Sequence, residues 1–238
     1  MKIALILLNL LLWPVSLLHF VLHTLWLILL GSLFGTRRVE WYVKIWARCI
    51  LFFTGAWREV RRAPGFDPKK TYLFVSNHVN LFDPFVLSPS IPQYVRGVEL
   101  ESHFKIPVYG WAMKRFGNVP VPDARDPEGL KRTYRLMKEA LSTGLSLVMF
   151  PEGGRTRDGK LRPFEAGVFR IARQIGATIV PVTIEGAYRW YRTGGRWIRP
   201  GKITVHLHEP IDMGGVGRDG LEEMRDRVRA IIGGPLGE

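Results

Sequence analysis

From Ile3 to Phe34 the chain carries no Lys, Arg, Asp or Glu. A Leu-rich run of this length is long enough to cross a hydrocarbon layer of about 30 Å. It constrains the rest of the chain, which must fold beside lipid. Pro14, His19 and His23 interrupt the run. No small-residue cleavage site follows it clearly, so a removable leader is not expected. Arg37 and Arg38 close it, and Arg37, Glu40, Lys44 and Arg48 then recur at helical spacing up to Thr54. Trp41, Tyr42, Ile45, Trp46, Ile50, Leu51, Phe52 and Phe53 fill the remaining face. A broad apolar face beside a narrow basic stripe predicts a helix lying in a membrane interface or packing on a core. Two arrangements fit: a spanning helix followed by an interfacial one, or a helical pair dipping into one leaflet. The basic flank puts the following chain on the cytoplasmic side. His19 and His23 share a helix face without a third ligand or carboxylate, so they read as a polar helix contact and no metal site is expected.

The net charge of +13 calls for an anionic partner. Nucleic acid is not expected, because zinc-finger spacing, RNP-like aromatics and a basic zipper are all missing. The apolar run points to anionic membrane lipids instead. Arg189-Trp190-Tyr191-Arg192, with Arg196, Trp197 and Arg199, interleaves cations and aromatics. That segment suits an anionic surface, and equally a solvated loop. The lone Cys49 excludes an intrachain disulfide and fits a reducing compartment.

Beyond residue 58 the pattern changes, which divides the chain into membrane-associating helices at 1–58 and a globular unit at 59–238. Ala63-Pro64-Gly65-Phe66-Asp67-Pro68 reads as a turn-rich linker at the membrane boundary. Four strands are predicted after it, at 72–76, 145–150, 178–184 and 203–208, with a shorter one at 93–98. Helices are predicted at 84–87, 126–141 (capped by Asp126), 164–175 and 221–232. Pro181 argues that the 178–184 strand is an edge strand or carries a bulge. Alternation of strands and helices predicts an α/β fold with a mostly parallel central sheet flanked by helices.

Two polar turns follow two buried strands. The first, Asn77-His78-Val79-Asn80-Leu81-Phe82-Asp83-Pro84, can place an imidazole beside a carboxylate. In that pair the ring takes a proton from a hydroxyl, and the carboxylate orients it and offsets its charge. The second, Phe150-Pro151-Glu152-Gly153-Gly154-Arg155-Thr156-Arg157, joins guanidinium groups to a glycine pair that lets backbone approach a ligand. It is neither a Walker loop nor a Gly-x-Ser-x-Gly elbow.

These turns resemble the motif blocks of the membrane glycerolipid acyltransferases typified by 1-acyl-sn-glycerol-3-phosphate acyltransferase. Asn77, His78 and Asp83 match an Asn-His-x-x-x-x-Asp block. Phe150, Pro151, Glu152, Gly153 and Arg155 match a Phe-Pro-Glu-Gly-Thr-Arg-Ser block, with Gly154 and Thr156 replacing the usual Thr and Ser. Lys105, Pro107, Gly110 and Gly117 are similar to a second block, and Ile179 to Val182 around Pro181 to a fourth. Where the family commonly has an Arg after the second block, Pro122 and Asp123 stand here and Arg125 lies slightly beyond. The resemblance implies acyl transfer from coenzyme A or acyl carrier protein to a lysophospholipid hydroxyl, giving phosphatidic acid when the acceptor is lysophosphatidic acid. It implies His78 as base and Asp83 as its partner, with Arg155, Lys105, Arg125 and Arg157 as cations for the acceptor phosphate. Glu152 would orient the acceptor or tether Arg155, and N–H groups near Gly153 would hold the oxyanion. No cofactor is implied. Another lysolipid acceptor, a His/Asp hydrolase and a catalytically silent membrane protein remain open alternatives.

Overall fold

The computed structural model of the chain describes residues 2–123 and 126–238. Among these residues, β1 (Ala56–Arg62), β7 (Gly201–Leu207), β6 (Thr178–Glu185), β2 (Leu73–Ser76), β5 (Ser146–Met149), β3 (Val95–Leu100) and β4 (Val119–Val121) lie in that order across one sheet. A short β8 (Ile211–Asp212) also pairs with β6. Every pairing is parallel except β6 with β7 and β6 with β8. The fold is therefore α/β with a mostly parallel sheet, as the alternation of elements predicts.

Side-chain alternation along the strands sorts the core into two layers. On one face Phe74, Val182, Ile184, Ile203 and Val205 pack with Trp46, Ile50 and Leu51 of α2 (Glu40–Phe53) and with Val86 and Leu87 of α3 (Asp83–Leu87). On the other, Leu73, Val75, Leu147 and Ile179 meet α5 (Pro127–Ser142), α6 (Ala166–Ile175) and α8 (Leu221–Gly233). Helix ends follow local chemistry. Asp126 caps α5 by accepting the Glu128 N–H at 3.1 Å, with Pro127 in the first turn. The remaining helices, α4 (Tyr109–Phe116) and α7 (Ala187–Trp190), follow β3 and β6 at the C-terminal edge of the sheet.

Three readings of the sequence are corrected. Pro181 sits in an interior strand, not at an edge, and the expected bulge falls on the partner side, where 207–211 faces the one-residue-shorter 179–182. Its carbonyl accepts the His208 N–H at 3.0 Å, so its absent donor points to the same side, into the gap where β7 ends and β8 has not begun. The proline therefore removes no ladder bond. Second, Ala56–Arg62 is a strand although it lacks an apolar run. Its backbone pairs with β7, while Arg58 and Val60 face inward and Trp57, Glu59 and Arg61 face out. β1 thus has its first three residues ahead of the division placed at 58/59. Third, 63–68 joins two strands of one sheet instead of linking a membrane element to a globular one.

α1 (Lys2–Phe34) lies along the domain. Asn9 exchanges hydrogen bonds with Ile198 at 3.2 and 2.8 Å, and Trp13 Nε1–H donates to the Arg196 carbonyl at 3.0 Å. His23 Nδ1 meets the Tyr42 hydroxyl at 2.7 Å, with the His19 ring tilted against that of His23, so this pair is a contact between α1 and α2. At the far end Arg115 bonds Ser32 Oγ at 2.9 Å and the Gly31 carbonyl. The opposite flank exposes Leu10, Leu11, Leu18, Leu22, Trp26, Leu29 and Leu33, continued by Trp41 and Phe52 of α2.

One histidine is built into the second core layer. His208 Nε2 pairs with Thr183 Oγ1 at 2.9 Å, and its ring stacks on His206. Burial, then the neighbouring His206, lowers its pKa to about 4. The folded state therefore holds His208 neutral at pH values where the unfolded chain binds a proton. Its contribution is full above about 6.5 and is lost as pH falls through about 4. His208→Gln should flatten the decline in stability between pH 6.5 and 4, measured as denaturant midpoints.

Candidate active site

β2 and β5 are parallel neighbours, with Val75 opposite Met149, so the loops that follow them emerge side by side. This is the C-terminal edge of an open α/β sheet, where such folds place ligand sites. The first loop carries His78 and runs into Asp83, at the start of α3. His78 Nδ1 and Asp83 Oδ2 are 2.7 Å apart. The same oxygen accepts the N–H groups of Val79 at 2.5 Å and Asn80 at 3.0 Å. A carboxylate oxygen fixed as acceptor by two donors sets the tautomer: Nδ1 carries the proton and Nε2 offers a lone pair. Asp83 is fully buried and His78 is partly exposed. The dyad thus has one shielded end and one open end, an arrangement able to accept a proton at Nε2.

The loop is held by residues that no spacing rule identifies. Asn80 Nδ2 donates to the carbonyls of Ala187 and Tyr191, both at 3.0 Å, while its Oδ1 accepts the Phe82 N–H at 2.8 Å. Asn77 is clamped to β6, its side chain exchanging hydrogen bonds with Ile184 at 3.0 and 2.7 Å. The Phe150 ring stacks on the imidazole at 4.0 Å between centroids. Asn77 and Phe150 carry a motif signal in the sequence and Asn80 lies within the polar turn, but none of their partners is visible there.

Glu152 joins the two loops. Oε1 accepts the His78 N–H at 2.7 Å and Oε2 accepts the Arg162 N–H at 2.9 Å. The Thr156 N–H returns to the His78 carbonyl at 2.9 Å. Burial pushes the Glu152 carboxyl above its usual range, against the pull of the two N–H donors. With both oxygens engaged in this way, Glu152 ties backbone together and does not tether Arg155. Gly153 adopts φ +62°, which favours glycine, and its N–H turns inward toward the Phe150 carbonyl.

The expected cations are more dispersed. Arg155 and Arg157 are exposed on the second loop, Arg155 near enough to act on the Tyr191 phenol. Lys105 ends the turn after β3, two strands from β2, exposed and beside Asp123. Arg125 lies outside the described residues. The second-block turn is sterically demanding. Val108 has φ +64°, rare for a β-branched residue and worth about 1–3 kcal/mol of strain. A side chain on Gly110 would collide with the Phe104 carbonyl.

Known proteins resemble the chain in sequence and in fold. A family model described as Acyltransferase matches residues 58–185. A chloroplastic 1-acyl-sn-glycerol-3-phosphate acyltransferase of Brassica napus is 32% identical over 187 residues, covering 77% of this chain and 53% of the relative. The alpha form of the same enzyme from Ovis aries is 26% identical, covering 76% and 63%. The chain spans about half the length of the plant relatives it matches. The crystal structure of the 1-acyl-sn-glycerophosphate acyltransferase of Thermotoga maritima superposes with a TM-score of 0.81 at 24% identity, covering 97% of this chain and 94% of that one. This likeness establishes the fold.

Glu152→Gln keeps the shape but turns an NH2 toward an N–H donor. Leaving one buried donor unsatisfied should cost about 1–3 kcal/mol, read as a lower denaturant midpoint with unchanged slope.

Proposed function

The chain belongs to the acyltransferase family, and we propose that it transfers an acyl group from a thioester donor to the free sn-2 hydroxyl of 1-acylglycerol 3-phosphate, forming phosphatidic acid. The observation that carries this reading is the dyad: a histidine with a buried carboxylate on Nδ1 and an open Nε2, beside exposed guanidinium groups. The acceptor hydroxyl gives its proton to His78 Nε2 as its oxygen attacks the thioester carbonyl carbon. Asp83 offsets the charge of the imidazolium that forms. Collapse of the tetrahedral intermediate breaks the carbon–sulfur bond, and the imidazolium returns the proton to the departing thiolate. Both substrates react in one complex, because water-like activation of an alcohol needs no enzyme nucleophile. Coenzyme A or acyl carrier protein supplies the donor.

The acceptor phosphate falls to Arg155, whose side chain has no ion pair among the described residues. Lys105, Arg125 and Arg157 are further cations for it. Glu152 and Gly153 complete the site by fixing the loop that presents Arg155. The lysolipid reaches the site across an edge that exposes Leu81, Leu100, Ile106 and Trp111.

The same reading places the chain at a membrane, with the site on the cytoplasmic side and anionic lipids against the basic surface. Length and composition allow Asn9–Phe34 to span a bilayer. However, α1 is flanked by the α/β domain from Asn9 to Ser32, about 35 Å at 1.5 Å per residue. That exceeds a hydrocarbon core of about 30 Å, so crossing would drag the polar domain into lipid. We therefore assign α1 and α2 to a single leaflet, lying in its plane. The globular unit, 59–238 with β1 completing its sheet, stands over them.

His78→Ala should lower kcat by about 10²–10⁴-fold, assayed with acyl thioester and lysophosphatidic acid; near-normal transfer would remove His78 as the base. Thiol release without acceptor would instead identify a hydrolase. Arg155→Ala should raise the acceptor KM by about tenfold, the loss of one charged hydrogen bond; an unaltered KM would take Arg155 out of the phosphate site. A tag ahead of Lys2 and one after Glu238 should be protease-accessible from the same side of sealed vesicles. Accessibility from opposite sides would establish a spanning α1.

A further inference from the structure

A second concave site lies one strand beyond the dyad, on the side of β6 away from β2. It is a cleft of roughly 410 Å³, lined by Arg61, Arg189, Arg199 and Lys202 together with Gly186 and Thr204. Strand alternation places Arg61, Lys202 and Thr204 on the sheet face opposite α2. That wall lies on the far face of the sheet, while the opposite wall, Trp190 and Arg199, adjoins the α2 layer through the Trp190 Nε1–H bond to the Thr54 carbonyl. Its lining includes one carboxylate, Glu185, which is bonded to His206 Nε2 at 3.0 Å. Arg61 and Lys202 share the Glu59 carboxylate at the rim. Arg189 and Arg199 are exposed, and their guanidinium groups have no ion pair among the described residues.

The cleft and the dyad share a wall. The turn 186–191 lines the cleft with Gly186, Arg189 and Trp190, and its Ala187 and Tyr191 carbonyls hold Asn80 of the catalytic loop. Gly186 needs its left-handed φ of +87°, and a side chain there would strike the Lys202 carbonyl. From β2 to β7 is two strand spacings, about 10 Å. This edge is one path for the carrier end of a thioester donor whose carbonyl lies at His78.

We propose that this cleft holds the phosphates at the nucleotide end of coenzyme A, the donor of the acyltransferase reading on which this inference rests. Guanidinium forks match phosphate geometry, and the surplus of cations suits a ligand with several phosphates. Size decides between the two donors. Clefts of about 300–1,000 Å³ are the scale of small ligands, whereas a carrier protein docks on a broad surface. Arg61, Lys202 and Thr204, on the sheet face opposite α2, favour a soluble phosphate over a lipid headgroup.

Titration calorimetry of the full chain in detergent micelles, with coenzyme A as the probe, tests this. Arg189→Gln/Arg199→Gln should weaken coenzyme A binding by at least tenfold, and 4′-phosphopantetheine, which lacks the nucleotide, should lose far less. Lysine at both positions should restore part of the affinity. Equal affinity of the two proteins for coenzyme A, or no coenzyme A binding by the unsubstituted chain, overturns the site. So does lost partitioning onto phosphatidylglycerol vesicles with coenzyme A binding intact, which assigns the cleft to lipid. Acyl transfer from acyl-coenzyme A by the unsubstituted chain separates the two claims. Transfer with unaltered coenzyme A affinity in the variant removes the cleft alone. Binding lost in the variant without transfer by the unsubstituted chain removes the acyltransferase reading alone.

Discussion

The site depends on carboxylates used as clamps for backbone. Asp83 Oδ2 gathers the Val79 and Asn80 N–H groups with His78 Nδ1, so the loop cannot move without stripping donors from a fully buried oxygen. Glu152 does the same between loops, holding His78 N–H on one side and Arg162 N–H on the other. Buried charges persist only where such donors satisfy them. The arrangement is possible because β2 and β5 are parallel neighbours whose loops leave the sheet together. An imidazole clamped at its backbone, stacked on Phe150 and bonded at Nδ1 has one free direction, through Nε2.

The apolar helices serve the same geometry. α1 touches the catalytic loop itself, since the Trp13 ring packs against Phe82 and Tyr191. Phe20 continues the contact onto Trp46 and Phe85. In the proposed reaction between a lipid hydroxyl and a long-chain thioester, the aromatic packing of α1 on the His78 loop would set the depth of the base. Leu81 and Trp111, exposed at the same edge, extend the apolar rim.

Much of this was legible in the sequence, and the reasons differ by element. β2 and β5 are uninterrupted buried runs, and α5 announces itself through Asp126 and Pro127; such signals are local. β1 is not legible, because Arg58, Glu59, Arg61 and Arg62 hide a strand made by pairing with β7, far along the chain. Pro181 misleads for a related reason: its tolerance depends on where β7 ends, which no window around residue 181 contains. In the site, His78, Asp83 and Glu152 stand out by residue type and motif. Asn80's hold on the Ala187 and Tyr191 carbonyls does not, since that turn is more than a hundred residues away. Glu152 stands out in the sequence, but its backbone partners do not. Its neighbours in sequence suggested Arg155, whereas the fold delivers two backbone donors.

His78 presents an unprotonated Nε2 because Asp83 holds the proton on Nδ1. Nitrogen-15 chemical shifts of the His78 imidazole, measured on labelled protein in micelles above pH 7.5 or so, report the tautomer directly. The account predicts the Nδ1–H form, with Nε2 at the shift of an unprotonated nitrogen. A spectrum dominated by the Nε2–H form would contradict it, because the nitrogen facing the substrate could then accept no proton.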